Sequence, residues 1–149
     1  MERVDSGKRI PSKKMSKYLR PTKLCDSKNP LIVGKAIELK SEERKILGRE
    51  PTKKEMAMKI YLFVRDEIKF GSDLFSRKAS ETLMRRVGQC IHKTNLQVAL
   101  CRAVKIPARY HLVEVPWSTF KDYYPPWQIK SLEKKKNPKG FGFPFCEVF

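Results

Sequence analysis

Histidine is scarce in this sequence. Only two occur in 149 residues, His92 and His111, so chemistry that needs an imidazole base has two places to find one. Cysteine is sparse too, at Cys25, Cys90, Cys101 and Cys146. No two of them form a CxxC pair, and Cys90 and His92, two apart on a helix, would point to nearly opposite sides. A zinc site is therefore not expected, and no metal or cofactor is assigned. No apolar run is long enough to span a bilayer. Met1 to Arg9 carry positive charge but no apolar segment, so they do not read as a signal peptide. The thiols are then expected to be reduced and the protein cytoplasmic. Acidic residues are outnumbered, 16 against 33 basic ones, for a net charge of +17. That balance favours polyanions such as nucleic acid or an acidic partner. It does not choose among them: the lysines are spread out, with small clusters at Lys13-Lys14 and Lys134-Lys135-Lys136, and no aromatic-basic pattern of a single-strand binder occurs. A basic proteome or a solvated lysine-rich face is the simpler account of them.

Residues 1–27 are polar and basic and read as a largely irregular arm; 28–149 read as one domain. Asn29-Pro30 has the form of a helix start, N-cap then N1. Ile32, Ala36, Ile37 and Leu39 give that helix an apolar face. Residues 41–50, charged and holding Gly48, suit a loop. Thr52-Lys53-Lys54-Glu55 is a capping box. It opens an amphipathic helix carried by Met56, Ile60, Phe63, Val64 and Ile68, with Gly71 as C-cap. Ser80 is expected to cap a short helix from Glu81 to Arg86, with Leu83 and Met84 inward.

The next segment is the centre of the chain. Gly88 precedes Cys90, and Leu96, Val98, Ala99, Leu100, Cys101, Ala103 and Val104 make the helix that follows apolar on nearly every side, which marks a core helix. Cys90 falls in its first turn, where unpaired N–H groups and the helix dipole favour a thiolate. Ile106-Pro107 ends the helix. Ala108 to Val115 has strand composition. Residues 116–142, with four prolines, Trp117 and Trp127, read as a long loop; the tryptophans either cover a site or simply pack. Phe143 to Phe149 reads as a second strand.

Several stretches together carry a resemblance: Phe63-Val64-Arg65-Asp66-Glu67-Ile68-Lys69-Phe70, Ala79 through Gly88-Gln89-Cys90, Lys93-Thr94-Asn95-Leu96, and Ile106-Pro107-Ala108-Arg109-Tyr110. They resemble the transglutaminase-like superfamily over roughly residues 28–115 and the last seven. The resemblance implies an α+β fold with a papain-like core: a Cys-bearing helix on a small antiparallel sheet, with N-terminal helices. It implies that Cys90 is a nucleophile that attacks an amide or ester carbonyl, on a protein or peptide substrate, to give a thioester. It also implies a histidine and an aspartate on the next two strands. Here Phe143 falls at the histidine's place, within Phe143-Pro144-Phe145-Cys146-Glu147-Val148-Phe149, and the aspartate strand would come after Phe149, so the domain reads as C-terminally incomplete.

Phenylalanine cannot accept a proton. His92 points away from Cys90 and reads as a solvated or core-edge residue. His111 is the remaining candidate base. The strand has two phases, and the one carrying Arg109, His111, Val113 and Val115 suits the buried side. Arg109 is a partner for Glu147 across strands, Cys101 a core residue, and Lys93 and Asn95 supports for the helix start. Two functions remain open. One is thiol acyl transfer or amide hydrolysis at Cys90. The other is an inactive transglutaminase-like module whose basic surface binds an acidic partner or nucleic acid.

Overall fold

A computed structural model describes residues 15–120, 122, 124–135 and 141–149. The first fourteen residues of the expected arm lie outside these. Ser16–Leu19 form a 3-10 turn, and Cys25 is fully buried in the core.

Helix α1 spans Pro30–Leu47, with the Asn29 side chain accepting from the N–H of Leu31 and Pro30 at the first position. The helix runs straight through the segment expected to be a loop. Glu, Arg and Lys propagate a helix almost as well as leucine, and only Gly48, at φ 67°, stops it. Its buried face is Ile32, Ala36 and Leu39; Ile37 is 61% exposed, because one step around the helix carries it off that face. Helix α2, Lys53–Glu67, opens on the expected Thr52–Glu55 capping box and buries Met56, Ile60, Phe63 and Val64.

The end of α2 differs from expectation. Ile68 turns extended, and β1 (Lys69–Phe70) pairs in parallel with β2 (Val87–Gly88). Gly71 therefore continues that pairing, its N–H donating to Gly88 O at 3.3 Å, and caps no helix. Helix α3, Ala79–Arg85, starts two residues earlier than expected. Lys78 holds the N-cap position, its N–H donating to Glu81 at 2.8 Å. Ser80 lies inside the helix, where its hydroxyl donates to Asp26 at 2.5 Å. Leu83 is buried as expected, whereas Met84 is 66% exposed.

Helix α4, Cys90–Ala103, is buried along most of its length. The helices α1, α2 and α3 and the strands β3 (Ala108–Val115) and β4 (Phe141–Val148) all pack against it. β3 and β4 are antiparallel, with Arg109 opposite Glu147, Tyr110 opposite Cys146 and Val113 opposite Phe143. This is the α+β arrangement expected: a cysteine-bearing helix on a small antiparallel sheet with helices before it. The connection between the strands is not the irregular loop anticipated. It holds a 3-10 turn, Trp117–Phe120, and a helix α5, Pro126–Lys135. The proline pair looked like a breaker, but Pro126 takes the first helical position, where its missing N–H costs nothing. Trp117 is buried and Trp127 is 71% exposed. Among the described residues no helix is long and apolar enough to cross a membrane.

Gly88 is required by close approach. A Cβ there would lie 2.6 Å from the Cβ of His92, while a Cβ on Gly34 would meet nothing within 4 Å. Gly88→Ala should therefore cost about 1–3 kcal/mol through overpacking. Gly34→Ala, in an exposed helix interior, should stabilise by about 0.5–1 kcal/mol. Urea unfolding of the two variants should show midpoints moving in opposite directions.

Candidate active site

Cys90 is the first residue of α4 and is half-buried. What fixes the helix start around it is His92. The Gln89 N–H donates to His92 Nδ1 at 3.1 Å. Since Nδ1 accepts, the ring proton sits on Nε2, which lies 2.8 Å from Leu74 O and donates to it. The ring is 2% exposed and the Phe75 ring stacks over it at 6.4 Å. The sequence reading placed His92 at a solvated or core-edge position; the helix geometry was right about its divergence from Cys90, but the loop before α3 closes over that side.

That loop is itself held by Asp73. Its side chain is 3% exposed and takes Arg77 at 2.8 Å and Arg85 at 3.2 Å, and it accepts the N–H of Leu74 at 2.8 Å. The chain thus runs from a carboxylate with two guanidinium partners, through Leu74, to the imidazole that caps the cysteine helix.

Further along α4, each polar residue has a main-chain partner. Lys93 Nζ donates to Ile68 O at 2.7 Å and Arg65 O at 3.1 Å, closing the C-terminus of α2. Burial pulls its amine below the ordinary lysine value, with Asp66 opposing. Thr94 donates to Pro144 O at 3.1 Å. Asn95 donates to Leu24 O at 2.9 Å and accepts from the Tyr110 hydroxyl. Burial pushes Tyr110 above its ordinary value, which keeps that hydroxyl a donor. Lys93 and Asn95 were expected to support the helix start; their bonds instead tie α4 to the end of α2, to Leu24 and to Tyr110. Arg102, which sequence reasoning passed over as one more cation, is 7% exposed. It donates to Ala108 O at 3.0 and 2.8 Å and to Arg20 O at 2.6 Å.

The sheet orders the remaining candidates. Tyr110 and Cys146 face α4; the Cys101 thiol is raised by its hydrogen bond with Cys146 and by burial. Arg109 and Glu147 lie on the opposite face and pair at 2.5 Å, as the cross-strand reading expected. Tyr18 and Phe149 flank that pair, their rings stacked at 5.1 Å. His111 shares this outer face by strand alternation. Its side chain is 50% exposed, with Nδ1 3.5 Å from Glu147. His111 is thus turned toward Glu147, and the phase with Tyr110, which bonds Asn95, is the one that faces α4. Phe143, at the histidine's place, alternates with Phe145 and Glu147, and its ring lies 5.6 Å from that of Phe145. Beside the helix start, Ile91, His92, Asn95, Tyr110, Leu24 and Phe75 border a groove of about 410 Å³ with an apolar lining. Among the described residues no group of three His, Cys, Asp or Glu could hold a metal ion.

The sequence profile of the transglutaminase-like superfamily matches residues 40–124. The chain belongs to the transglutaminase-like superfamily. A crystal structure of a candidate cysteine protease from Cytophaga hutchinsonii has the same fold, with a TM-score of 0.57 over 95% of this chain at 21% identity. This chain spans 39% of the length of that structure. No curated protein sequence matches it. Within the superfamily match lie Cys90, its capping loop and β3; β4 lies beyond it.

The Asp73 carboxyl is held at about 2, chiefly by the Arg77 guanidinium, with burial opposing and Leu74 and Arg85 helping. A carboxyl lowered in the folded state stabilises above its unfolded value of about 4 and loses that contribution as pH falls through the folded value. Asp73→Asn should therefore be less stable than the parent by a constant margin above about pH 5, with the margin closing between about pH 4 and pH 2. Urea midpoints of both proteins across that range measure it.

Proposed function

We propose that Cys90 is a nucleophile for acyl groups of protein or peptide substrates. The supporting observation is its position: a half-exposed thiol at the first residue of the buried helix of a transglutaminase-like domain. In the step assigned to it, the sulfur attacks an amide or ester carbonyl and an S–C bond forms. The C–N or C–O bond breaks, and the proton that the thiol gives up ends on the departing amine or alcohol. A water or a second amine then attacks the thioester, releasing the thiol. The four cysteines are free thiols, which suits a reducing compartment such as the cytoplasm.

The same geometry argues that the second step is slow. Deacylation needs a base to take the proton from water or amine. His92 is committed to Gln89 and Leu74, His111 lies on the far sheet face, and residue 143 is phenylalanine. A non-catalytic module is the second reading, and Phe143 is the observation that favours it.

Acyl transfer onto Cys90 should give a burst of about one equivalent of nitrophenol from a p-nitrophenyl ester, followed by little turnover. Intact mass should show the acyl group on Cys90, and Cys90→Ala should abolish both signals. Iodoacetamide should label Cys90 before Cys25 and Cys101, which are 0% exposed. A Cys90 that reacts no faster than a thiol in an unstructured peptide, with no burst, would leave only the binding reading.

A further inference from the structure

We infer that the tip formed by Tyr124, Pro125, Pro126 and Trp127, with the lysines of α5 beside it, docks on a bilayer surface rich in anionic phospholipid. The inference uses neither Cys90 nor a peptide substrate.

The tip is a run of four consecutive apolar or aromatic residues, all exposed. Tyr124 is 42% and Trp127 71% exposed. Single exposed apolar residues are ordinary, but a contiguous group of them marks a contact surface. The run is also rigid. The two proline rings fix their own φ, and the Pro125 carbonyl accepts the N–H groups of Gln128 at 2.9 Å and Ile129 at 3.2 Å. The aromatic rings thus stand on main chain that is ordered before any partner arrives, so docking loses little conformational entropy.

Helix α5 decides what lies beside the tip. It packs on the 3-10 turn Trp117–Phe120, and Ile129 is buried. At 100° per residue, Trp127 lies about 160° around the helix from Ile129. Lys130 and Lys134 fall within about 60° of Trp127, and both are exposed. Residues 116–140 carry six lysines against two acids, Asp122 and Glu133. Glu133 falls about 120° around the helix from Trp127.

Aromatic rings with lysines on one face suit the boundary between bilayer and water. Tryptophan and tyrosine settle at headgroup level, and lysines near an anionic leaflet are drawn to it. The net charge of +17 adds long-range attraction to the same surface. A specific protein partner would need a matched surface of about 20–30 residues a side, whereas a bilayer needs no matched shape. A single-strand binder tracks its ligand along a basic groove lined by successive aromatics. Of the two grooves that border α4, neither includes a residue of α5 or of the tip.

The test is tryptophan fluorescence of the full chain, titrated at about 0.15 M salt with vesicles of mixed phosphatidylserine and phosphatidylcholine. Of the two tryptophans, Trp117 is buried and Trp127 exposed, so a change in emission reports Trp127. A blue shift is expected with the mixed vesicles and none with phosphatidylcholine alone. Trp127→Ala should weaken co-sedimentation with the mixed vesicles about tenfold. Lys130→Glu with Lys134→Glu should weaken it by about tenfold or more. The same reversal at Lys53 and Lys54, exposed at the start of α2, should change it less than about threefold, which separates this surface from general attraction to a basic protein. Adsorption without a blue shift, tolerance of Trp127→Ala, or equal effects of the two reversals would overturn the inference. So would an equal or larger response of Trp127 to a single-stranded oligonucleotide or to polyglutamate, since the tip would then serve a nucleic acid or an acidic protein.

Discussion

A helix buried on nearly every side can carry polar side chains only if each finds a partner, and α4 meets that condition by reaching for the main chain of its neighbours. His92 takes Leu74, Lys93 takes Arg65 and Ile68, Thr94 takes Pro144, Asn95 takes Leu24, and Arg102 takes Arg20 and Ala108. No buried side-chain nitrogen or oxygen is left without a partner among the described residues. Carbonyl oxygens are fixed targets, so each bond sets both a distance and an orientation. Apolar contacts supply most of the driving force; these bonds decide where along α4 each neighbouring element stops. Cys90 inherits its position from that arrangement.

Much of this was legible in the chain because it is written in punctuation. Asn29-Pro30, Thr52 to Glu55, Gly88 and Pro107 marked the ends of the long elements, and β3 was found over its full extent. The superfamily's cysteine block was readable as well, since it combines a glycine, a thiol and an Ile-Pro-Ala-Arg run. The errors have two physical sources. Charge was taken for loop at 41–47, although charged residues make good helix once a cap has nucleated it. Apolar identity was taken for inward direction at Ile37 and Met84, where the phase of the helix decides.

The site itself was only half legible. A cysteine at a helix start can be inferred from local sequence. The closing of a loop over His92, or the inward phase of β3, depends on residues far apart in the chain. His92 follows Gln89 by three, a capping spacing, but imidazole is not the usual partner in that position. Arg102 gave no signal at all: one guanidinium among 33 basic residues looks like solvent-facing charge until two distant carbonyls are seen to converge on it.

The bonds from Asn95 to Leu24 and from Arg102 to Arg20 join positions 71 and 82 apart. Residues 20–25 therefore lack these two side-chain anchors until α4 exists. During synthesis on the ribosome these residues emerge early, yet they must wait through most of translation before they can be seated. A stretch made early is thus seated by partners made some seventy to eighty residues later, and the burial of Cys25 waits on them.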